Sequence, residues 1–250
     1  SLKIIANMAV GYDNIDINAA KKFAVKVTNT PDVLTKSTAE LTIALIFMMA
    51  KRLQEGNLAI RNNEWGPWHP NWMLGKDLYN STIGIIGPGK IGQEVATIAK
   101  YLKMNVTYYG KKLKSGFPGE FVDLERLLKD SDFVSIHLSL NSETKNFINM
   151  SHFSIMKKDA ILINTSRGQI INQKDLENAI KGKMIGGAAL DVTDPEPLPA
   201  ESELLKMKNV FVSPHLGSAT KKTRIDMAKL AIENLLKFNA GYQPPNEIAE

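Results

Sequence analysis

A guanidinium, a carboxylate and an imidazole stand in the second half of this 250-residue chain, each at or near the end of an apolar, strand-like run. Arg167 sits in Asn164-Thr165-Ser166-Arg167-Gly168, directly after Ile161-Leu162-Ile163. Glu196 follows Leu190-Asp191-Val192 and lies between Pro195 and Pro197, while His215 sits in Pro214-His215-Leu216-Gly217-Ser218 after Val210-Phe211-Val212. Arginine offers a planar fork that grips a carboxylate bidentately. Histidine donates a proton near neutral pH, and a neighbouring carboxylate favours its charged form. Together the three suit reduction of a 2-oxo acid. Each also has an ordinary alternative: a surface ion pair for Arg167, an exposed loop carboxylate for Glu196. His69, His137 and His152 lack such company and read as structural or surface residues.

A hydride carrier must be held as well. Ile83-Gly84-Ile85-Ile86-Gly87-Pro88-Gly89-Lys90-Ile91-Gly92 reads as a strand, a glycine turn and a helix start. Such a turn lets backbone amides and a helix N-terminus cradle a pyrophosphate. Pro88 removes one N–H from that cradle but fixes φ, so the turn is narrowed rather than excluded. An acid at the end of the second strand would take the ribose hydroxyls of NAD. This chain instead has Tyr108-Tyr109-Gly110-Lys111-Lys112. The lysine pair suits the extra 2′-phosphate of NADP; a solvated pair at a strand end is the alternative.

The elements that must position these groups follow from periodicity. Residues 2–8 read as a strand, a helix follows to Lys22, and residues 25–28 form a second strand. Ser37-Thr38-Ala39-Glu40 has capping-box form and predicts a helix to about Glu55, ended by Gly56. Its apolar residues from Leu41 to Met49 run nearly all round, which predicts an interior position. Residues 62–78 are loop-rich, hold Trp65, Trp68 and Trp72, and read as a joint between two lobes. From Thr82 onward strands are expected at 82–86, 105–109, 133–137, 161–164, 185–191 and 210–212. Helices are expected at 93–102, 125–128, 174–181 and 221–238. That alternation implies a parallel, doubly wound sheet.

Composition excludes several classes. Hydrophobic content of 44% and charged content of 23% are those of an ordinary globular protein, long enough for one large or two small domains. The net charge of +5 is spread over scattered lysine pairs without interleaved aromatics, which argues against nucleic-acid binding. With no cysteine there is no disulfide or thiol-nucleophile chemistry, and a cytoplasmic location is expected. The longest apolar stretch, residues 41–50, is too short to span a bilayer, so no membrane association is expected. No signal peptide is legible at the start.

The order of Ala9-Val10-Gly11-Tyr12-Asp13-Asn14-Ile15-Asp16, Asn29-Thr30-Pro31-Asp32-Val33-Leu34, Ser81-Thr82-Ile83-Gly84, Asp191-Val192-Thr193-Asp194-Pro195-Glu196-Pro197-Leu198-Pro199 and His215-Leu216-Gly217-Ser218-Ala219-Thr220 resembles the D-2-hydroxyacid dehydrogenases. Within that family the chain is most similar to glyoxylate/hydroxypyruvate reductases. The resemblance implies an α/β fold: a Rossmann-like doubly wound parallel sheet with a second, partial α/β (flavodoxin-like) substrate lobe. The dinucleotide-binding domain would be residues 78–217; the substrate domain would be residues 1–77, completed by a C-terminal helix within 218–250. Arg167 would hold the substrate carboxylate, His215 would protonate the developing alkoxide, and Glu196 would stabilise the charged imidazole. Val10, Gly11 and Ser218 would meet the substrate. Gly87, Gly89, Lys90, Ile91 and Gly92 would line the pyrophosphate, and Gly110, Lys111 and Lys112 the adenosine ribose. Thr38, Ser139, Thr165, Asp191 and Gly217 would complete the cofactor pocket.

The implied activity is hydride transfer from NAD(P)H, NADP preferred and NAD possible, to a small 2-oxo acid. A homodimer through residues 65–72 is also implied. Phosphoglycerate- and D-lactate-type dehydrogenases, or a nucleotide-sensing corepressor-like protein without catalysis, remain the alternatives, and no metal is expected. Family members open with further strand–helix units, about two of them at ~30 residues each, before the match to Leu2-Lys3-Ile4-Ile5-Ala6. The chain is therefore expected to be a fragment or to have that part elsewhere, and residues 1–250 alone to be poorly stable.

Overall fold

The computed structural model describes residues 2–248. In chain order its elements are β1 (Ile4–Ala6), α1 (Ile17–Lys22), β2 (Lys26–Thr28), α2 (Thr35–Ala50), α3 (Leu53–Arg61), β3 (Thr82–Ile86), α4 (Lys90–Tyr101), β4 (Asn105–Tyr109), β5 (Glu120–Phe121), α5 (Leu124–Asp130), β6 (Phe133–Ile136), α6 (Met150–Phe153), β7 (Ile161–Asn164), a 3-10 turn (Gly168–Ile170), α7 (Gln173–Lys181), β8 (Gly187–Leu190), α8 (Glu203–Lys206), β9 (Val210–Val212) and α9 (Lys221–Asn239). Two compact units result. The smaller joins both ends of the chain, up to Thr38 and from Gly217; the larger is Ala39–Leu216.

The larger unit is a seven-stranded sheet in the order β5-β4-β3-β6-β7-β8-β9, parallel throughout. The expected doubly wound sheet is what forms. Strands buried on both faces need continuous apolar runs rather than alternation. Every residue of β6, β7 and β8 is buried. Ile83, Ile85 and Ile86 of β3 are fully buried, each worth about 1.5–3 kcal/mol by removal of apolar surface from water. The chain runs outward from β3 through β4 to β5, then crosses back to β6 on the other side of β3. At such a reversal the strand ends open a crevice, and the glycine turn after β3 lies there.

Two helical expectations are corrected. The predicted single helix to Glu55 is two helices, α2 and α3, with Gly56 inside the second. Gly75 and Lys76 cause the break: a Cβ on Gly75 would come within 2.2 Å of the Ala50 carbonyl oxygen, which accepts from Lys76 N at 2.7 Å. The chain reverses through Arg52 at φ 52°, whose guanidinium grips the Glu55 carboxylate at 2.7 and 3.0 Å. The capping box is corrected as well. The helix already begins at Thr35, and Ser37 and Thr38 donate their hydroxyls to Gly217 O, at 2.9 and 3.1 Å.

Residues 39–77, expected with the substrate lobe, group instead with the nucleotide sheet. The reason is packing: α2 buries Ala39, Ile43, Leu45, Ile46 and Ala50 in one core with Ile83, Ile85, Val95 and Phe133. The interior position expected for this helix holds along that face, whereas Ala44 and Phe47 are exposed.

In the smaller unit β1 pairs in parallel with β2. The C-terminal segment returns to it, with Ile248 N donating to Val27 O at 2.9 Å. Asn234 of α9 is fully buried and accepts from Asn246 N at 3.0 Å.

Candidate active site

The glycine turn has the shape an anion needs. Gly87 has φ 100°, and a Cβ there would lie 2.6 Å from the His137 carbonyl oxygen. A Cβ on Gly92 would lie 2.4 Å from Gly87 O, so the helix approaches the strand only without a side chain. A Cβ on Gly89 would meet nothing within 4 Å. Gly89 is the N-cap of α4 and brings no side-chain hydrogen bond to the helix end. Open space over a helix N-terminus with its partial positive charge is what a pyrophosphate requires. A dinucleotide therefore fits Gly87 to Gly92, and Lys90 and Ile91 lie in the first turn of that helix.

Gly110, Lys111 and Lys112 follow β4 beside this turn, and a Cβ on Gly110 would touch the Pro88 ring at 2.7 Å. Lys111 and Lys112 are exposed. Lys111 Nζ pairs with Glu143 Oε2 at 2.5 Å; the hydrogen bond raises the lysine pKa and lowers that of the glutamate. Sequence reasoning missed Lys114. Its ammonium donates to Pro88 O at 2.6 Å, inside the glycine turn, while the Tyr108 hydroxyl accepts from Lys114 N at 3.0 Å. Nothing in the sequence marks a lysine five residues past the strand end as facing back onto that turn.

Arg167 is held from below. Asn164, fully buried at the end of β7, accepts from Ser166 N and Oγ at 3.0 and 2.7 Å and donates to Arg167 O at 2.8 Å. This is an asparagine-nucleated turn, and an asparagine at a strand end two residues before serine was the signal available for it. Arg167 also donates to Ser166 O at 2.8 Å. A Cβ on Gly168 would fall 2.0 Å from the Thr193 backbone. That close approach sets the arginine turn against the loop that bears Glu196.

Glu196 accepts from Thr193 N at 3.4 Å, and Asp194 N of the same loop donates to Gln173 Oε1 at 3.0 Å. The peptide bonds before Pro195 and Pro197 are both cis. Glu196 Oε1 lies 2.7 Å from His215 Nδ1, with both side chains more than 40% exposed. A pair that exposed contributes about 0–1 kcal/mol to stability, so its consequence is orientation of the imidazole. His215 itself adopts φ 54°. Its N donates to Asp191 O and to Ser213 O, both at 3.0 Å. The buried Asp191 carboxylate accepts from Ser213 Oγ at 2.6 Å and Leu216 N at 2.7 Å.

The remaining expected residues are distributed over both units. Thr165 is buried and its hydroxyl bonds that of Thr42 at 2.9 Å. Ser139 is exposed after β6, and its carbonyl accepts from Thr144 Oγ1 at 2.7 Å. In the smaller unit the carbonyls of Val10 and Gly11 accept from the side-chain amides of Asn29 and Asn7, both at 2.9 Å. Thr38, Gly217 and Ser218 belong to that unit too, where Gly217 accepts the two α2 hydroxyls.

Among the other histidines, His137 is half-buried. Nε2 lies 2.8 Å from Ser135 Oγ, and burial pushes its pKa down to about 3. His152 takes part in a capping box with Asn149 at the start of α6. His69 is exposed. Among the described residues there is no cluster of three acidic, cysteine or histidine side chains that could hold a metal ion. No helix among them is long and apolar enough to cross a membrane.

Residues 43–217 match the family described as D-isomer specific 2-hydroxyacid dehydrogenase, NAD binding domain. A glyoxylate reductase of Korarchaeum cryptofilum is 46% identical over 250 residues, covering 98% of this chain and 75% of that protein. The TT0316 protein of Thermus thermophilus superposes with a TM-score of 0.94 at 44% identity, over 99% of this chain and 79% of that one. An NADPH-dependent glyoxylate/hydroxypyruvate reductase of Sinorhizobium meliloti superposes with a TM-score of 0.88 at 29% identity, over 100% and 78% of the two chains. The chain belongs to the D-isomer specific 2-hydroxyacid dehydrogenases, enzymes that use a nicotinamide cofactor.

Proposed function

We propose that this enzyme reduces glyoxylate or hydroxypyruvate to the 2-hydroxy acid with NADPH, using Arg167, Glu196 and His215. The observation that carries the reading is the 2.7 Å pairing of His215 Nδ1 with Glu196 Oε1, on the sheet whose glycine turn fits a dinucleotide. When held by the glycine turn, a reduced nicotinamide would supply the hydride that the carbonyl carbon accepts. The Arg167 fork holds the substrate carboxylate and so fixes which face of the carbonyl is presented. With Nδ1 engaged by Glu196, His215 delivers a proton from Nε2 to the carbonyl oxygen as negative charge develops there. The imidazole ends neutral and regains its proton from solvent. Val10, Gly11 and Ser218 are the further substrate contacts this reading expects.

The NADP preference rests on Lys111, Lys112 and Lys114, three cations beside the glycine turn with no acid at the end of β4. The homodimer rests on Trp65, Trp68 and Trp72, which are 66%, 86% and 42% exposed. Trp65 and Trp72 border a cavity of about 390 Å³ with Leu53 and Ile60. Steady-state assays with glyoxylate, hydroxypyruvate, pyruvate and phosphohydroxypyruvate test the substrate. Turnover should favour the first two; a preference for either of the others would reassign the enzyme within its family.

A further inference from the structure

The loop that bears His215 is held in an uncommon way. A non-glycine residue at φ 54° sits in the left-handed region, which side chains disfavour unless the surroundings fix it. The fixing group here is Asp191. Only 1% exposed at the end of β8, it reaches under the loop. Its Oδ1 accepts from Ser213 Oγ at 2.6 Å on one side of His215 and from Leu216 N at 2.7 Å on the other. Its own carbonyl accepts from His215 N at 3.0 Å. Ser213 is 5% exposed, so neither partner of that short bond exchanges readily with water. Charge-assisted bonds of this kind are stronger than neutral ones and are expensive to leave unmade when buried.

We infer that Ser213, through its bond to the Asp191 carboxylate, is a positioning residue that keeps His215 in line with Glu196 and the substrate carbonyl. The inference rests on the proposed role of His215. Removing the hydroxyl leaves Asp191 one donor short and lets the left-handed residue relax. The imidazole then departs from Glu196, and proton transfer suffers although no group that touches the substrate has changed. The effect should fall on kcat, because the proton donor is the group displaced.

Ser213→Thr and Ser213→Val test this in the full chain, since they are near-equal in shape and differ by the hydroxyl. With Ser213→Thr, kcat should stay within about threefold of wild type. With Ser213→Val it should fall at least tenfold. In nitrogen-15 spectra of the ring, the His215 Nδ1 chemical shift should match wild type in the threonine variant and move in the valine variant. Equal kcat in the two variants, or an unchanged Nδ1 signal in the valine variant, overturns the inference. His215→Gln is the control for the underlying reading. Wild-type turnover in that variant defeats the catalytic role of His215 itself, a failure distinct from that of Ser213.

Discussion

His215 Nδ1 and Glu196 Oε1 meet at 2.7 Å across 19 residues of chain. Thr193 N and Gln173 brace the glutamate loop, and Asp191 holds the histidine loop from below. Glu196→Gln keeps an oxygen acceptor in place but removes the carboxylate charge of the pair that orients the imidazole. We expect kcat for 2-oxo acid reduction to fall by about 10²–10⁴-fold, the range general acid catalysis supplies, with NADPH affinity unchanged. His215→Gln should reduce it at least as far. A glutamine variant at position 196 with wild-type kcat would assign Glu196 to the surface.

Lys111 competes for its own partner. The exposed Glu143 carboxylate pairs with it at 2.5 Å, and solvent screens such a surface pair, so it is weak. Glu143→Gln should therefore lower KM for NADPH by up to about fivefold and leave KM for NADH unaltered. Wild type should favour NADPH over NADH by about ten- to hundredfold in kcat/KM, at about 1.5–3 kcal/mol per charge-assisted contact. Replacing Lys111 and Lys112 together by alanine should narrow the gap, mainly through KM for NADPH. Equal efficiency with both cofactors in the wild type refutes the electrostatic argument.

Gly168 lies between the arginine and glutamate loops. An alanine Cβ would sit 2.0 Å from the Thr193 carbonyl, so the backbone on one side must move. Overpacking of this kind costs about 1–3 kcal/mol, or roughly 5 °C in Tm for a chain of this size. Gly168→Ala should lose both stability and kcat, because Thr193 N also contacts Glu196. A scanning-calorimetry Tm within 1 °C of wild type would show that the contact relaxes freely.

What the sequence made legible follows from range. The strands of the parallel sheet announce themselves because burial on both faces forces unbroken apolar runs such as Ile161-Leu162-Ile163. Gly87 and Gly92 are legible because close backbone approach leaves no other residue type. The break after Ala50 was not, since it depends on Gly75 arriving from 25 residues away. Lys114 and Ser213 were equally silent: a lysine and a serine are common everywhere, and only the folded chain turns one onto Pro88 and the other onto Asp191. The same holds for the grouping of α2 with the sheet, which depends on which apolar partner its face meets.

The tryptophan segment carries the assembly prediction. Aromatic side chains this exposed in one segment usually mark an interface. Sedimentation velocity at micromolar concentration should give a dimer, and Trp65→Ala with Trp68→Ala should shift it toward monomer without unfolding it. A monomeric wild type under those conditions counts against the interface.

His137 supplies the pH prediction. Burial pushes its pKa down to about 3, against about 6.5 in an unfolded chain. Between those values the unfolded chain binds a proton that the native one refuses. Stability from this group is therefore complete above pH 6.5 and declines as the pH falls toward 3, approaching about 1.4 kcal/mol per pH unit. By pH 5 the loss from this residue alone should be about 2 kcal/mol. His137→Gln keeps a polar partner for Ser135 but does not titrate. Urea unfolding at pH 7.5 and pH 5 should show wild type losing about 2 kcal/mol more than the variant over that interval. Parallel losses would mean that the ring accepts its proton in the native state, and that burial beside the glycine turn does not hold it neutral.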